Sequence, residues 1–314
     1  MKTFLFASLF SLAGAIAGCS KSAPPPAAPT PSTPEASAPA PAPDPTVAAA
    51  PPTSPPPPVP AAPAVPPYTP AADVPDPIRT AVGAPDRAEK DRALDAGRKP
   101  AEMLAFFQVA PGQKVAELFA ATGYTTELLA RVVGDSGKVY AQNTKPVMDR
   151  YGGALKDRAS KPGLGNIVVV EQPAETPFPP EAKGLDAVIC VLNYHDLVWL
   201  NTDLAKLNKA VFAALKPGGV YGIVDHAAAK GSGTRDAKAL HRIDEDSVKH
   251  DILAAGFKLD GESDVLANPS DPHDWSAAPG EAADKRGTSD RFTLRFVKPG
   301  KAPGKPTRSS KKRA

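Results

Sequence analysis

Three of the five histidines stand in settings suited to acid–base chemistry: His195 precedes Asp196, His226 follows Asp225, and His241 opens His-Arg-Ile-Asp. An imidazole beside a carboxylate serves as a general base or proton relay because its charge changes within the physiological range. Each of the four groups His195, Asp196, His226 and His241 is therefore a catalytic candidate, with His195 first among them. Three imidazoles also suffice for zinc with an open fourth position, but no H-x-E-x-H or comparable local spacing occurs, so no metal site is expected. Arg98 and Arg242 are candidates for gripping an anionic group, since a guanidinium meets a carboxylate bidentately; pairing with the nearby Asp95 and Asp244 is the competing use.

These groups need elements to hold them. Apolar runs predict strands near Lys114 to Leu118, Lys138 to Gln142, Ile167 to Val170, Asp186 to Leu192, Val220 to Val224, Phe257 to Asp260 and Arg291 to Val297. Helical patterns fall near Pro100 to Gln108, Thr125 to Val133, Pro146 to Lys156, Thr202 to Leu215 and Val248 to Ala255. Such alternation predicts an α/β domain with a mostly parallel sheet and helices on both faces. The predicted strand ends then gather His195, His226 and His241 where open α/β sheets bind ligands.

The stretch VAELFAATGYTTELLAR, Val115 to Arg131, reads as a buried strand, a tight turn and a helix whose N-terminus faces a ligand. Glu117 places a carboxylate near the strand's end, Gly123 permits close backbone approach, and Thr125 is the expected N-cap. Tyr124 either stacks on a ligand or roofs the turn. Cys190 lies in the apolar run Ala187 to Leu192 and reads as core. Trp199 and Leu200, after the fourth strand, also read as core, and Gly218-Gly219 as a turn into the fifth. The segment from Val265 to Asp290 is long enough for a lid over the cleft or an unstructured insertion.

The succession VAELFAATGYTTELLA, GKVYAQN, LDAVICVLNYHDL, LKPGGVYGIVDH and AGFKL resembles the class I S-adenosylmethionine-dependent methyltransferases from about Arg92 to Val297. Within them it is similar to a group of bacterial predicted methyltransferases with a D-x-x-R-x-P-x-x-x-L approach to the first strand (Asp95, Arg98, Pro100, Leu104) and an H-R-I-D segment after the fifth (His241 to Asp244). The resemblance implies a Rossmann-like seven-stranded sheet with its last strand antiparallel, and S-adenosylmethionine as cofactor. It implies that the Glu117 to Gly123 turn contacts the cofactor's amino acid part, with Tyr124 beside it as a further cofactor-binding candidate, that Asn143 at the end of the second strand takes the ribose and that Glu175 lies on the adenine side. Asn193 to Asp196 would face cofactor and acceptor together.

Two positions depart from that pattern. Phe119 and Ala121 stand where the first turn has glycines, and Gln142-Asn143 replace the ribose-binding acid. Phe119 adds bulk and disfavours positive φ, and an Asn lacks the charge-assisted strength of a carboxylate, so weaker cofactor binding is expected. Two functions follow: a methyltransferase acting on a small molecule or envelope component, or a noncatalytic binding protein that kept the fold and lost the cofactor.

The ends of the chain predict its compartment. Lys2, the apolar run Phe4 to Ala17 and Ile16-Ala17-Gly18-Cys19 resemble the signal peptide and lipobox of bacterial lipoproteins. That implies cleavage after residue 18, lipid on Cys19 and a membrane anchor, with Ser20 favouring the periplasmic face of the outer membrane. Residues 19–77 are dominated by Pro and Ala and cannot form a core. Extended, such a tether reaches on the order of 100 Å. Residues 78–298 are long enough for one α/β domain. The seven Lys and Arg from Lys298 onward exceed the formal net charge of +3, leaving −4 for the remainder. The basic tail, 299–314, is expected to be disordered, either simply solubilising or attracted to an anionic envelope polymer. Without a basic, aromatic-interleaved face in an exported chain, nucleic acid is not an expected partner.

Overall fold

The computed structural model describes residues 68–300. The leader, Cys19, most of the tether and nearly all of the basic tail lie outside the described residues.

Four short helices precede the sheet: α1 (Asp76–Val82), α2 (Glu89–Arg92), α3 (Asp95–Arg98) and α4 (Pro100–Phe106). Strands and helices then alternate: β1 (Lys114–Leu118), α5 (Tyr124–Val133), β2 (Lys138–Asn143), α6 (Lys145–Ala159), β3 (Ile167–Glu171) and β4 (Leu185–Val191). The second half comprises α7 (Tyr194–Trp199), α8 (Leu204–Ala214), β5 (Leu215–His226), α9 (Glu245–Ala254), β6 (Lys258–Ser263) and β7 (Arg291–Val297). The seven strands form one sheet in the order β3-β2-β1-β4-β5-β7-β6. β7 runs antiparallel to both β5 and β6, while the other pairings are parallel. This is the Rossmann-like, seven-stranded arrangement expected from the sequence.

Strand burial explains the layering. β1, β2 and the second half of β5 are buried almost throughout because helices cover both faces, whereas β6, at the edge, is largely exposed. One core packs Leu104, Phe107, Leu128 and Leu129 against the sheet, and the other packs Leu197, Leu207, Val211, Ile252 and Phe257. Gly222 in β5 admits the Phe107 ring, which a β-carbon there would meet at 2.7 Å. Cys190 is fully buried in β4.

Three differences from the sequence reading concern the approach to the site. α1, α2, α3 and α7 are additional; they are four to seven residues long, too short for a clear periodicity. The fifth strand begins at Leu215, so Gly218 and Gly219 lie within its bounds, with Gly218 at φ +78°. α5 begins at Tyr124 with Gly123, at φ +84°, as its N-cap in place of Thr125. Because the strand order turns back between β1 and β4, the loops after them diverge and open a crevice at the carboxyl ends of the strands.

Candidate active site

The turn after β1 keeps a glycine-type backbone without the glycines. Phe119 and Ala121 have φ of +55° and +49°. A left-handed residue with a β-carbon costs roughly 1–2 kcal/mol, so the surroundings must hold this shape. The end of β2 does so. Phe119 N donates to Gln142 Oε1 at 3.2 Å, Ala120 N to the Gln142 carbonyl at 2.9 Å, and Ala121 N to Asn143 Oδ1 at 2.9 Å. Asn143 Nδ2 in turn donates to the Ala121 carbonyl at 3.2 Å. This corrects the ribose assignment: Asn143 is fully buried and clamps the turn, and it does not line the cavity. Gly123 is corrected likewise. It lies off the cavity wall, and a β-carbon there would approach Leu155 Cδ1 to 2.7 Å, so its smallness serves the packing of α6. Arg158 of α6 completes the clamp by donating from Nε to the Thr122 carbonyl at 2.9 Å and from Nη1 to Asp91 Oδ2 at 2.7 Å. The Phe119 side chain joins the core with Tyr140, Val170 and Ala174.

Glu117, Arg98 and Tyr124 meet beside this turn. Glu117 is buried and accepts from the Thr126 hydroxyl. Burial raises its pKa from 4.5 to about 7, against the lowering effect of hydrogen bonds from Thr126 and Thr125 and of the Arg98 and Arg158 charges. Arg98 does not pair with Asp95. That carboxylate is taken by Arg87, at 2.7 and 2.9 Å, and by the Tyr124 hydroxyl at 2.6 Å. The Arg98 guanidinium instead stacks over the Tyr124 ring, 4.4 Å from its centroid, and no side chain or carbonyl among the described residues accepts from it. Its pKa is lowered by burial. An unpaired, largely buried guanidinium beside a buried carboxylate at the N-terminus of α5 suits a group that carries both a carboxylate and an ammonium.

The histidines converge across the crevice. His195 lies in the first turn of α7, and its ring Nδ1 lies 2.7 Å from Asp225 Oδ1 at the end of β5. The same carboxylate accepts from the His195 amide at 2.7 Å and the His226 amide at 2.8 Å. His195 Nε2 then faces His241 Nδ1 at 3.3 Å and Asp196 Oδ1 at 3.2 Å, and His241 Nδ1 lies 3.3 Å from that same oxygen. Trp199 Nε1 donates to Asp196 Oδ1 at 2.8 Å. Burial opposes charge on His195, but the charge of Asp225 and hydrogen bonds to Asp196 and Asp225 outweigh it and raise the pKa to about 10. His226 is the opposite case: burial, and then the neighbouring His195 charge, push its pKa well down. His226 Nδ1 lies 2.7 Å from Ser289 Oγ.

Both groups line one cavity of about 1290 Å³. Glu117, Arg98 and Tyr124 border it, as do His195, Asp196, His226 and His241. Asn193 lines it while Nδ2 donates to the Val191 carbonyl at 2.7 Å, and Glu175 lines it beyond β3. Thr144 and Lys145, directly after β2, occupy the wall that Asn143 leaves. Arg242 is a correction: it is fully buried away from the cavity, donating to Asp271 Oδ2 at 2.8 Å and to the Ala227 and Trp275 carbonyls. It thereby ties down the segment 265–290, of which Ala277 to Glu281 form part of the cavity wall. Trp199 and Leu200, expected in the core, are 36% and 46% exposed and line the cavity. Asp225 and Ser289 are site residues beyond the sequence candidates. The Asp-His pair in GIVDH pointed to the first, while Ser289 lies 63 residues from its partner and left no local signal.

No family model matches the chain. The ubiquinone/menaquinone biosynthesis C-methyltransferases UbiE of Vibrio campbellii and Cronobacter sakazakii are each 33% identical to it, over 112 and 110 residues, or 35% and 34% of this chain. The chain spans 39% and 40% of the length of these curated relatives. Among solved structures, a SAM-dependent methyltransferase from Aquifex aeolicus is 20% identical, with a TM-score of 0.48 over 66% of this chain and 96% of that one. A putative sarcosine dimethylglycine methyltransferase from Galdieria sulphuraria is 17% identical, with a TM-score of 0.48 over 72% and 91%.

Proposed function

We propose that the chain is an S-adenosylmethionine-dependent methyltransferase of a small molecule or envelope component, held at a membrane by lipid on Cys19. One juxtaposition carries the reading: Arg98 and Glu117 at the N-terminus of α5 share a cavity with a histidine cluster at the ends of β4 and β5. The residues fit the cofactor. Arg98 would take its carboxylate and Glu117 its ammonium, Thr144 and Lys145 border the ribose side, and Glu175 the adenine side. The partial matches to C-methyltransferases support the same reading. When bound, the cofactor supplies an electrophilic methyl on a sulfonium.

The chain's own task is to align the acceptor and remove its proton. His226 suits that removal better than His195. Its ring stays neutral, and in the tautomer whose Nδ1 donates to Ser289 Oγ, Nε2 carries the lone pair. Trp199 and Leu200 give the cavity an apolar border that excludes water from the acceptor.

A noncatalytic binding lipoprotein is the second reading, favoured by Asn143 being spent on the turn and so withdrawn from the ribose. Calorimetry of the purified chain with S-adenosylmethionine and S-adenosylhomocysteine separates the two. Saturable heat with both ligands supports the enzyme. No heat at millimolar ligand overturns it in favour of the binding protein. Palmitate labelling that disappears in Cys19→Ser tests the anchor.

A further inference from the structure

We propose that His195 Nε2, His241 Nδ1 and Asp196 Oδ1 form a binding site for a tetrahedral divalent transition metal of the zinc type. The three atoms lie within 4.8 Å of one another. Their separations of 3.2, 3.3 and 3.3 Å make a nearly equilateral triangle. A tetrahedral zinc with bonds of about 2.0–2.1 Å places its ligand atoms about 3.3 Å apart, whereas a six-coordinate ion with right-angled bonds of that length requires about 2.9 Å. Three protein ligands, two imidazoles and one carboxylate, with a fourth position turned to the cavity they line, match a zinc centre kept open to a ligand.

The surroundings are those of a metal site. His195 directs Nδ1 to a fully buried carboxylate, Asp225, which sets the tautomer and leaves Nε2 for an ion. Asp196 is steadied by Trp199 Nε1. His241 is held in place at φ +50°, a conformation that costs energy and persists only where the fold imposes it. Asp196 and Asp225 bring two carboxylates to two imidazoles, and among the described residues no Lys or Arg pairs with either acid. A divalent cation that replaces the His195 proton balances that charge. The absence of local ligand spacing in the sequence follows from the fold, since His241 reaches the site from 45 residues beyond Asp196.

Metal binding at these three atoms does not require the cofactor, so the metal alone is titrated. The untagged full chain is stripped with chelator and titrated with zinc by calorimetry and with cobalt(II) by visible absorption. One equivalent is expected at micromolar affinity or better, with the intense visible bands of tetrahedral cobalt(II). His241→Ala, at a partly exposed ligand, lowers affinity at least 100-fold and abolishes those bands. Asp225→Asn lowers affinity 10- to 100-fold as a positioning residue. His250→Gln, on the exposed surface of α9, leaves both unchanged. Less than a tenth of an equivalent bound, pale octahedral cobalt spectra, or His241→Ala binding as tightly as the parent would each overturn the site. If Asp225→Asn does not fold, the His241→Ala and His250→Gln pair decides alone. S-Adenosylmethionine titrated into the stripped chain reports separately on the methyltransferase reading.

Discussion

Asp225 holds His195 twice, accepting from its backbone amide at 2.7 Å and facing its ring Nδ1 at 2.7 Å. One fully buried carboxylate thus fixes both the start of α7 and the rotation of the imidazole. Asp225→Asn keeps the shape but replaces charge-assisted bonds by neutral ones. Stability is expected to fall by about 2–3 kcal/mol, read as a shift in the urea midpoint at unchanged m-value. An unchanged midpoint would show that the pair is not what orders this end of the sheet.

Glu117 predicts a pH dependence. Its pKa is raised by burial from 4.5 to about 7, so between those values the unfolded chain gives up a proton that the folded chain keeps. Stability therefore falls as pH rises through this window, by at most about 3 kcal/mol from this group, and levels off above pH 7. In Glu117→Gln this contribution should be missing, which leaves the shallower decline that His195, with its raised pKa, gives both proteins above pH 6.5. Urea titrations of both proteins at pH 5 and pH 8 check it, and a parallel decline in the variant would assign the slope elsewhere.

Arg98 separates binding from folding. Because no side chain among the described residues accepts from its guanidinium, Arg98→Met should leave the melting temperature within about 2 °C. It should weaken S-adenosylmethionine binding by roughly 10- to 100-fold, the loss of a charge-assisted bond of about 1.5–3 kcal/mol. Calorimetry and a thermal melt on the same preparation decide. Unchanged affinity would remove Arg98 from the cofactor end of the cavity.

Ala121 stores backbone strain in a position that a glycine occupies freely. Ala121→Gly should stabilise the chain by about 1 kcal/mol, raising the melting temperature by about 2–4 °C. Gly123→Ala should do the reverse, since its added carbon meets Leu155 at 2.7 Å and its φ is +84°. A loss of stability in Ala121→Gly would mean that the turn gains more from the methyl than it spends on the torsion.

The sheet was legible because strand signals are local. Lys114 to Leu118 and Arg291 to Val297 carry their apolar pattern within a few residues, and the structure places both strands at those bounds. The meeting of His195, His226 and His241 followed from the same logic, the first two lying just beyond predicted strand ends and His241 in the loop after one. What could not be read was the direction of side chains. Asn143 and Arg242 have the right chemistry for ligands, yet each satisfies a buried backbone first: Asn143 the Ala121 peptide, Arg242 the Ala227 and Trp275 carbonyls. Trp199 is the converse. An apolar side chain reads as core, but its indole N–H has a carboxylate to serve at the rim.

Asp271 accepts from Arg242 at 2.8 Å, from the Asp290 amide at 2.6 Å and from the Trp275 indole at 2.8 Å, so the segment that walls one flank of the cavity is fastened from beneath. Swinging such a flank aside to admit a guest would cost three hydrogen bonds on one carboxylate. Where Trp199 stands beside His241, the half-bare faces of Trp199 and Leu200 give the cavity a greasy sill that favours visitors with an apolar side.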